Sequence, residues 1–346
     1  MQYDVLVVGA GVVGCAAAME LGKYSLRAAV IEAGEDVCTG TSKANSAIVH
    51  AGFDARPGSL MARFNVEGSH AMPKLCERLQ IPFRRCGALV LCFNEADRPG
   101  LEELLFRGVK NGVHGLRIVE REELHELEPN VSPEAVAALY APTSGIVCPF
   151  ELTCAMAENA VRNGVEFFFD TRVENIAREG GLWKLETAKG SFEAPVVINA
   201  AGLHSAELNN MVSDKKITIT PRKGEYMLLD KKVGGMLSRT VFQLPTKMGK
   251  GVLVTPTVHG NLLMGPTAVD VEDPEATNTT AAGLESVMQR ARKSVPSLPG
   301  NRTITSFAGL RAHVEKDEHD FIIGEAEGAP GFLNAVGIES PGLSLS

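Results

Sequence analysis

The sequence predicts an α/β fold that begins with a strand, a helix and a second, parallel strand. Residues 3–8 form a run that is apolar apart from Asp4 and is followed by Gly9, as expected of a strand buried on both faces of a parallel sheet. The alanine-rich run Val12–Leu21 is typical of a helix packed closely on such a sheet, and residues 27–32 form the next strand-like run. We therefore expect a Rossmann-like βαβ unit at the start of the chain.

Later elements alternate between helical and extended patterns, without an internal repeat or a flexible linker. Pro149 suits the first turn of a helix that ends at Asn163-Gly164, and Gly180-Gly181 suits a tight turn between strands. Strands are predicted at 88–93, 165–169, 173–177, 182–187 and 196–199, and further helices near 60–79, 101–109, 122–127 and 281–293. Residues 129–142, which contain three prolines, are predicted to be loop-rich, and residues 218–310 to be β-rich.

The composition is that of a folded globular protein with an acidic balance. The 346 residues are 45% hydrophobic and 22% charged, with a formal net charge of −8. Because nucleic-acid binding needs a basic face, this charge argues against nucleic acid as a partner. No apolar stretch reaches about 18 residues, so we expect no integral membrane segment.

The cysteines predict neither disulfides nor a metal centre. There are seven, an odd number, and the sequence has no C-x-x-C pair of the kind typical of zinc and iron–sulfur sites. We therefore expect a cytoplasmic protein without a bound metal. Peripheral contact with the inner face of the membrane is left open.

Residues 9–14, Gly-Ala-Gly-Val-Val-Gly, place the dinucleotide fingerprint G-x-G-x-x-G between the first strand and the helix. Gly9 makes the tight turn, Gly11 lets backbone N–H groups approach a pyrophosphate, and Gly14 lets the helix pack closely on the strand. Glu32 follows the second strand, eighteen residues after Gly14, where its carboxylate would accept hydrogen bonds from the ribose hydroxyls. The fingerprint predicts a bound dinucleotide and does not distinguish FAD from NAD.

Six further segments extend the pattern over the rest of the chain. They are TGTSKANSAIVHAG at 39–52, SGIV at 144–147 with Pro149, NAAG at 199–202, PRKGEY at 221–226, AGLR at 308–311 and GIESPGL at 337–343. Together with the fingerprint they resemble the D-amino-acid-oxidase-like superfamily of FAD-dependent oxidoreductases, in particular its bacterial glycerol-3-phosphate dehydrogenases and L-2-hydroxyglutarate oxidases. The resemblance implies that FAD is the cofactor.

The resemblance also implies two interleaved, discontinuous domains. The FAD-binding domain, of the glutathione-reductase type, would comprise residues 1–80, 145–215 and 318–346, and an α+β substrate-binding domain on a mixed or antiparallel sheet would comprise residues 81–144 and 216–317. Members of the family continue past the Pro-Gly-Leu-Ser segment into a further helix beneath the FAD. We therefore expect the chain, which ends at Ser346, to be C-terminally truncated relative to them and to retain FAD less tightly.

In that family the cofactor is held largely by the backbone. Val173 would contact the adenine, residues 200–202 are small enough for the chain to pass close to the pyrophosphate, and residues 337–343 would face the N1–C2=O edge of the flavin. The residues implied to bind FAD are Gly9, Gly11, Val13, Gly14, Glu32, Ala33, Thr41, Ser42, Asn45, Ser46, Val173, Ala200, Ala201, Gly202, Gly337, Ile338, Glu339, Ser340, Gly342 and Leu343.

The resemblance implies that Arg311 is the catalytic anchor of the substrate. A guanidinium group can bind a carboxylate or a phosphate through two hydrogen bonds. A structural ion pair with Glu315 or Asp317 is the alternative role for this arginine.

A second candidate group lies on the strand at 221–226. Lys223, like the neighbouring Arg222, would either add positive charge to the substrate pocket or lie in solvent. Glu225 and Tyr226 match the family's substrate-side strand, where they would either contact the substrate or only pack.

His50 is the candidate for moving the substrate's proton. Oxidation of a secondary alcohol removes a hydroxyl proton as hydride leaves carbon for flavin N5, and histidine titrates near neutral pH. A hydrogen bond to the flavin, without proton transfer, would account for the same residue. The other histidines considered are expected to be solvated, without metal-ligand spacing, and are His70, His114, His125 and His319.

Several functions are compatible with these residues. The preferred one is oxidation of a small anionic secondary alcohol, sn-glycerol 3-phosphate, to dihydroxyacetone phosphate. L-2-hydroxyglutarate or another 2-hydroxy acid is the first alternative, because arginine binds carboxylates as well as phosphates. An amine or amino-acid substrate and a flavin electron-transfer subunit without its own substrate are further alternatives. The electron acceptor, whether a quinone, a partner subunit or oxygen, is not identifiable from the sequence.

Overall fold

A computed structural model of the protein describes residues 1–245, 251–315 and 320–345, so Asp317 and His319 lie outside the described residues. The α-helices of the described residues are α1 (Val12–Leu21), α2 (Leu60–Leu79), α3 (Arg98–Lys110), α4 (Arg121–Leu127), α5 (Pro149–Arg162), α6 (Ser205–Val212) and α7 (Ala281–Ser294). The strands are β1 (Val5–Val8), β2 (Ala28–Ile31), β3 (Ile48–Val49), β4 (Phe83–Arg84), β5 (Ala88–Cys92), β6 (Arg117–Glu120), β7 (Ala137–Ala141), β8 (Gly145–Val147), β9 (Glu166–Phe168), β10 (Val173–Glu179), β11 (Leu182–Thr187), β12 (Gly190–Ala194), β13 (Val196–Asn199), β14 (Ile219–Leu229), β15 (Thr240–Gln243), β16 (Leu253–Pro256), β17 (Leu262–Gly265), β18 (Val269–Asp270), β19 (Thr303–Val314), β20 (Ile322–Ala326) and β21 (Ala329–Val336). None of the helices in these ranges is long and apolar enough to cross a bilayer.

A six-stranded sheet carries the predicted βαβ unit. Its order is β20-β21-β13-β1-β2-β9, and neighbouring strands are parallel except for β20 and β21. In the centre, Val7 of β1 pairs with Val30 on one side and with Ile198 on the other. Helices α1, α2 and α5 cover one face of the sheet, and the antiparallel meander β10-β11-β12 covers the other. All four residues of β1 are therefore buried, in agreement with the continuous apolar run in the sequence.

A nine-stranded sheet forms the second layer system, with the order β18-β14-β17-β16-β15-β5-β7-β6 and β19 paired to β14. The sheet is mixed, because β5 and β15 are parallel and the other pairs are antiparallel. Strands β14 and β19 pair along nearly their whole length. Successive residues of β5 alternate between two cores, Leu89 on the side of α4 and α7 and Val90 on the side of α3.

The predicted α/β fold is confirmed, and several strands lie where none was predicted, among them Ala137–Ala141 and Gly190–Ala194. Residues 129–142 were predicted to be loop-rich, which is wrong for Ala137–Ala141, because the prolines flank this strand and do not interrupt it. The strand pairs on both sides, with β5 and β6, and all of its residues except Tyr140 are buried. Strand Gly190–Ala194 was not predicted either, and only Phe192 and Ala194 of it are buried. The division into two discontinuous domains stays a prediction.

The turn between β1 and α1 requires glycine at two positions. Gly9 has a φ of +105°, a backbone conformation that residues with a side chain rarely adopt. At Gly14, an added Cβ atom would lie 1.8 Å from the carbonyl oxygen of Gly9. Helix α1 can therefore approach the end of β1 only if residue 14 has no side chain.

We expect Gly14→Ala to lower the thermal unfolding midpoint, because the new methyl group meets backbone that cannot move without opening the turn. Overpacking of this kind costs about 1–3 kcal/mol. Gly235→Ala is the matched control, since Gly235 is exposed and an added Cβ there has no heavy atom within 4 Å. Equal midpoints for the two variants, measured by circular dichroism, would contradict the steric role of Gly14.

Candidate active site

A cavity of about 760 Å³ lies between the two large sheets. Val8 and Ile31, at the carboxyl ends of β1 and β2, line the cavity. Parallel α/β folds bind their ligands at the carboxyl ends of the strands. Strands β14 and β19 of the other sheet contribute Tyr226 and residues 308–312. The volume of the cavity is in the range of about 300–1,000 Å³ that is usual for cofactor and small-molecule sites.

The predicted pyrophosphate region lies at the start of α1. Gly11 precedes the helix and gives its first turn no side-chain cap, and the hydroxyl of Ser42 accepts a hydrogen bond from the Val12 N–H at 2.9 Å. At Gly9, an added Cβ would lie 2.5 Å from the carbonyl oxygen of Ala200, so glycine allows two chain segments to meet beside the cavity. A helix N-terminus reached by small residues is a suitable place for a phosphate group.

The carboxylate of Glu32 is held in place by two backbone donors. Its Oε2 accepts a hydrogen bond from Ala10 N–H at 2.6 Å and its Oε1 from Gly34 N–H at 2.7 Å. These bonds hold the carboxylate at the end of β2, where it lines the cavity. Each carboxylate oxygen can accept a further hydrogen bond, as a ribose would require.

Beyond Val173, the cavity wall contains charged residues that the sequence did not single out. The carboxylate of Glu207 lies 3.6 Å from Arg172 Nη2 and 2.9 Å from His204 Nδ1. His204 and Glu207 lie at the start of α6, directly after the predicted segment 200–202. Their place in the sequence could have identified them. Residues in the first turn after a segment that is predicted to lie beside the pyrophosphate are themselves expected to lie near the ligand.

The segment at 39–52 crosses from one sheet to the other. Thr41 donates a hydrogen bond from Oγ1 to the carbonyl oxygen of Leu310 at 2.8 Å. At Gly309, an added Cβ would lie 2.0 Å from the carbonyl oxygen of Ala44, so only glycine lets β19 approach the segment this closely. Asn45 Oδ1 accepts a hydrogen bond from the backbone N–H two residues later and thereby stabilises the turn.

His50 lies at the opposite end of the cavity from Val173. It is 6% exposed, and its ring centroid lies 5.7 Å from that of Phe242. The backbone N–H of His50 donates to Ser344 Oγ at 2.8 Å, which connects this strand to the C-terminal loop. Phe242 was not identified from the sequence, because nothing in β15 distinguishes it from an ordinary core aromatic.

In the loop at 337–343, residues 338–343 line the same end of the cavity as His50. Within it, Glu339 is 8% exposed on its side chain, and its Oε1 lies 2.9 Å from Nδ1 of His313 on β19. This contact fixes the loop against the nine-stranded sheet. Sequence reasoning missed His313, whose partner is 26 positions away.

Arg311 lines the cavity with a half-buried side chain. Among the described residues, no hydrogen bond or ion pair of its guanidinium group is found. The alternative pair with Glu315 is not present, and the Glu315 carboxylate accepts a hydrogen bond from the Thr220 hydroxyl at 3.2 Å. Gly224 on the paired strand leaves room for this guanidinium, since an added Cβ would lie 3.4 Å from Arg311 Nη2. A partly desolvated cation of this kind attracts an anionic ligand.

Arg222 differs from Arg311 because it already has a partner. Its Nε and Nη2 donate to the two carboxylate oxygens of Asp270 at 2.6 and 3.1 Å. This bidentate pair raises the pKa of Arg222 and lowers the pKa of the Asp270 carboxyl group. The charge of Arg222 is therefore largely balanced, although its side chain also lines the cavity.

Two of the predicted substrate contacts are corrected by the structure. Alternate residues of a strand point to opposite faces, and Tyr226 points to the cavity, so Lys223 and Glu225 point away from it. Lys223 Nζ donates to Asn278 Oδ1 at 3.0 Å. The Glu225 carboxylate accepts hydrogen bonds from the backbone N–H and the hydroxyl of Thr280, both at 3.0 Å, at the start of α7.

The remaining predicted residues are distributed as follows. Gly14 and Gly337 do not line the cavity: the first packs against the β1 turn, and the second, with a φ of +70°, turns the chain into the C-terminal loop. The predicted residues that line the cavity are Gly9, Gly11, Val13, Glu32, Ala33, Thr41, Ser42, Asn45, Ser46, His50, Val173, Ala200, Ala201, Gly202, Tyr226, Arg311, Ile338, Glu339, Ser340, Gly342 and Leu343.

These features fit FAD. The glycine turn and the start of α1 would receive the pyrophosphate, Glu32 the ribose, and the segments at 39–50 and 338–343 the flavin. A side chain at Gly9 would meet the backbone of Ala200, and one at Gly309 would meet the backbone of Ala44, so glycine at both positions keeps these chain segments close together beside the cavity.

Comparison with known proteins agrees with this assignment. Residues 4–346 match the family described as "DAO: FAD dependent oxidoreductase". The chain is 50% identical over 343 residues to glycerol 3-phosphate dehydrogenase from Caloramator mitchellensis. This match covers 99% of this chain and 71% of that protein. It is 29% identical over 397 residues to the mitochondrial L-2-hydroxyglutarate dehydrogenase of Arabidopsis thaliana, which covers 100% of this chain and 81% of that protein.

Among solved structures, the dithionite-reduced L-α-glycerophosphate oxidase of Mycoplasma pneumoniae with FAD bound has a TM-score of 0.94 and 34% sequence identity. The match covers 100% of this chain and 92% of that one. The predicted cofactor, FAD, and the predicted class of enzyme are thereby confirmed. The chain belongs to the DAO family of FAD-dependent oxidoreductases.

Proposed function

We propose that the enzyme oxidises a small anionic secondary alcohol, and that its substrate is sn-glycerol 3-phosphate. The observation that carries the proposal is the half-buried guanidinium of Arg311, which lines the cavity without an ion pair among the described residues. A phosphate group would supply the missing charge and accept two hydrogen bonds. The 50% identity to a glycerol 3-phosphate dehydrogenase over nearly the whole chain supports the same substrate.

In the proposed reaction, Arg311 binds the phosphate and holds the alcohol carbon near the flavin end of the cavity. Bound FAD supplies the acceptor for the hydride that leaves this carbon. His50 accepts the hydroxyl proton, for which a group that titrates near neutral pH is suited. Because His50 is 6% exposed and packs against Phe242, bulk water has little access to this proton.

L-2-hydroxyglutarate is the second candidate substrate. The supporting observation is the 29% identity over the whole chain to a plant L-2-hydroxyglutarate dehydrogenase. Arg311 would then bind a carboxylate, which it does as readily as a phosphate. The charge at the site does not separate the two candidates, so the choice between them needs a substrate test.

The substrate is tested by mixing the FAD-loaded protein anaerobically with glycerol 3-phosphate, 2-hydroxyglutarate or glycine. We expect glycerol 3-phosphate to bleach the visible absorbance of the flavin at the highest rate per unit concentration, because reduction of the flavin accompanies oxidation of the true substrate. Faster bleaching by 2-hydroxyglutarate or by glycine would replace the proposed substrate. Bleaching by none of them would favour an electron-transfer protein without its own substrate.

We expect Arg311→Ala to raise KM for glycerol 3-phosphate about 10- to 100-fold, because loss of a charge-assisted hydrogen bond costs about 1.5–3 kcal/mol. Arg311→Lys should recover part of this loss, since it restores the charge without the planar fork. Arg63→Ala is the control, because Arg63 is exposed, pairs with Glu67 on its own helix and does not line the cavity. The role of Arg311 is excluded if KM of the alanine variant stays at the wild-type value.

We expect His50→Asn to slow flavin reduction about 100-fold or more and to remove its pH dependence near neutrality, as loss of a proton acceptor would. The rate of flavin reduction is measured by stopped flow from about pH 5.5 to about pH 9, in steps of about one pH unit. The control is His114→Asn, which changes an exposed histidine. If His50 only donates a hydrogen bond to the flavin, the flavin spectrum shifts while the pH profile keeps its shape.

A further inference from the structure

A cluster of three potential metal ligands lies outside the cavity. It consists of Cys148, Glu151 and His259, whose Sγ, carboxylate oxygen and ring nitrogen all lie within 4.8 Å of one another. None of the three lines the FAD cavity. From this geometry we propose that the protein binds one Zn²⁺ ion between these three side chains.

Two elements from different sheets bring the ligands together. Cys148 immediately precedes α5 and Glu151 lies in its first turn, so a spacing of three residues places both on one side of the helix start. His259 lies in the turn between β16 and β17, which is held by a hydrogen bond from Thr257 N–H to the carbonyl oxygen of Asn261 at 2.9 Å. The imidazole therefore comes from an ordered turn.

In the part of the chain that the structure describes, the ligand atoms of the cluster have no hydrogen-bond partner outside it. Glu151 Oε2 is buried and has no hydrogen-bond partner, although 39% of the whole side chain is exposed. Its other oxygen lies 3.4 Å from His259 Nε2, longer than a good hydrogen bond. Within the described ranges, the thiol of Cys148 makes no hydrogen bond, and its residue is 9% exposed. A buried carboxylate oxygen without a partner is unfavourable, and coordination of a cation would satisfy it.

The donor set favours Zn²⁺ over other common ions. Cysteine sulfur, histidine nitrogen and a carboxylate oxygen are the three protein ligands that zinc takes, at about 2.0–2.3 Å each. Magnesium and calcium prefer sites made only of oxygen atoms. Three protein ligands leave the fourth tetrahedral position to water. The exposed ring of His259, with 49% of its side chain accessible, gives the ion a route from solvent.

Binding exchanges one proton for the metal and involves no redox change. The Cys148 thiol loses its proton to solvent as the sulfur–zinc bond forms, while Glu151 binds as the carboxylate and His259 as the neutral imidazole. The ion would join α5, which covers the six-stranded sheet, to a hairpin of the nine-stranded sheet. Because none of the three ligands lines the FAD cavity, we infer that zinc stabilises the arrangement of the two sheets without contacting substrate.

The sequence predicted no metal site, for reasons that the structure makes clear. The expectation rested on the lack of a C-x-x-C pair, whereas this cluster uses one cysteine, one glutamate and a histidine that is far away in the chain. Only the packing of the β16–β17 turn beside the start of α5 brings the third ligand into place.

The test uses Co²⁺ as a spectroscopic substitute for Zn²⁺ in the FAD-loaded protein after treatment with a chelator. Tetrahedral Co²⁺ with a thiolate ligand absorbs at wavelengths longer than those of the flavin, so the two signals do not overlap. We expect one Co²⁺ per chain, displaced by one Zn²⁺, and a higher thermal midpoint with zinc than without it. Absence of the cobalt bands at one equivalent would overturn the proposal.

Variants separate this site from adventitious binding. His259→Ala should weaken zinc binding by more than the roughly 10- to 100-fold typical of losing an outer-shell partner, and Cys148→Ser should remove the thiolate spectrum. The matched controls are Cys154→Ser on the same helix and His114→Ala, an exposed histidine elsewhere. Unchanged zinc affinity in His259→Ala overturns the proposal even if Cys148→Ser fails to fold. These readouts involve no substrate, so they stand or fall independently of the proposed reaction.

Discussion

The contact between Gly14 and the carbonyl oxygen of Gly9 is the constraint on which the cofactor site depends. It lets α1 start close to the end of β1, so the first residues of the helix, Val12 and Val13, line the cavity. The same turn places Ala10 N–H against Glu32, which fixes the Glu32 carboxylate at the end of β2. A change in this turn would therefore displace the helix start and the carboxylate together.

A second close approach, between Gly309 and Ala44, joins the substrate side to the cofactor side. Because β19 passes so near the flavin-side segment, Arg311 two residues later lies in the same cavity as His50. The neighbouring strand provides a contrast, since Arg222 is neutralised by Asp270 and Arg311 has no such partner among the described residues. Within the described part of the chain, Arg311 is therefore a half-buried cation of the cavity wall whose charge no carboxylate balances.

The local parts of the site could be predicted from the sequence, and the long-range parts could not. The fingerprint and Glu32 lie within one βαβ unit, so their spacing alone specifies their geometry. The pairing of Arg222 with Asp270 bridges 48 positions and has no local signal. Lys223 is a different case. Alternate residues of a strand point to opposite faces, so Lys223 and Tyr226 cannot both point to the cavity. The two-residue period of a strand, applied to the run at 221–226, predicts this from the sequence alone.

The order of strands in the six-stranded sheet bears on how the protein is made. Strand β13 has β1 on one side, but its other neighbour, β21, lies far later in the chain, as the bond between Asn199 and Asn334 across 135 positions illustrates. At a synthesis rate of about 5–20 residues per second, the nascent chain exposes this unpaired edge for on the order of ten seconds. Unpaired apolar edges are templates for aggregation. During this interval the exposed edge of β13 needs protection by chaperones that bind the emerging chain. The interval ends when β21 has left the ribosome and can pair with β13.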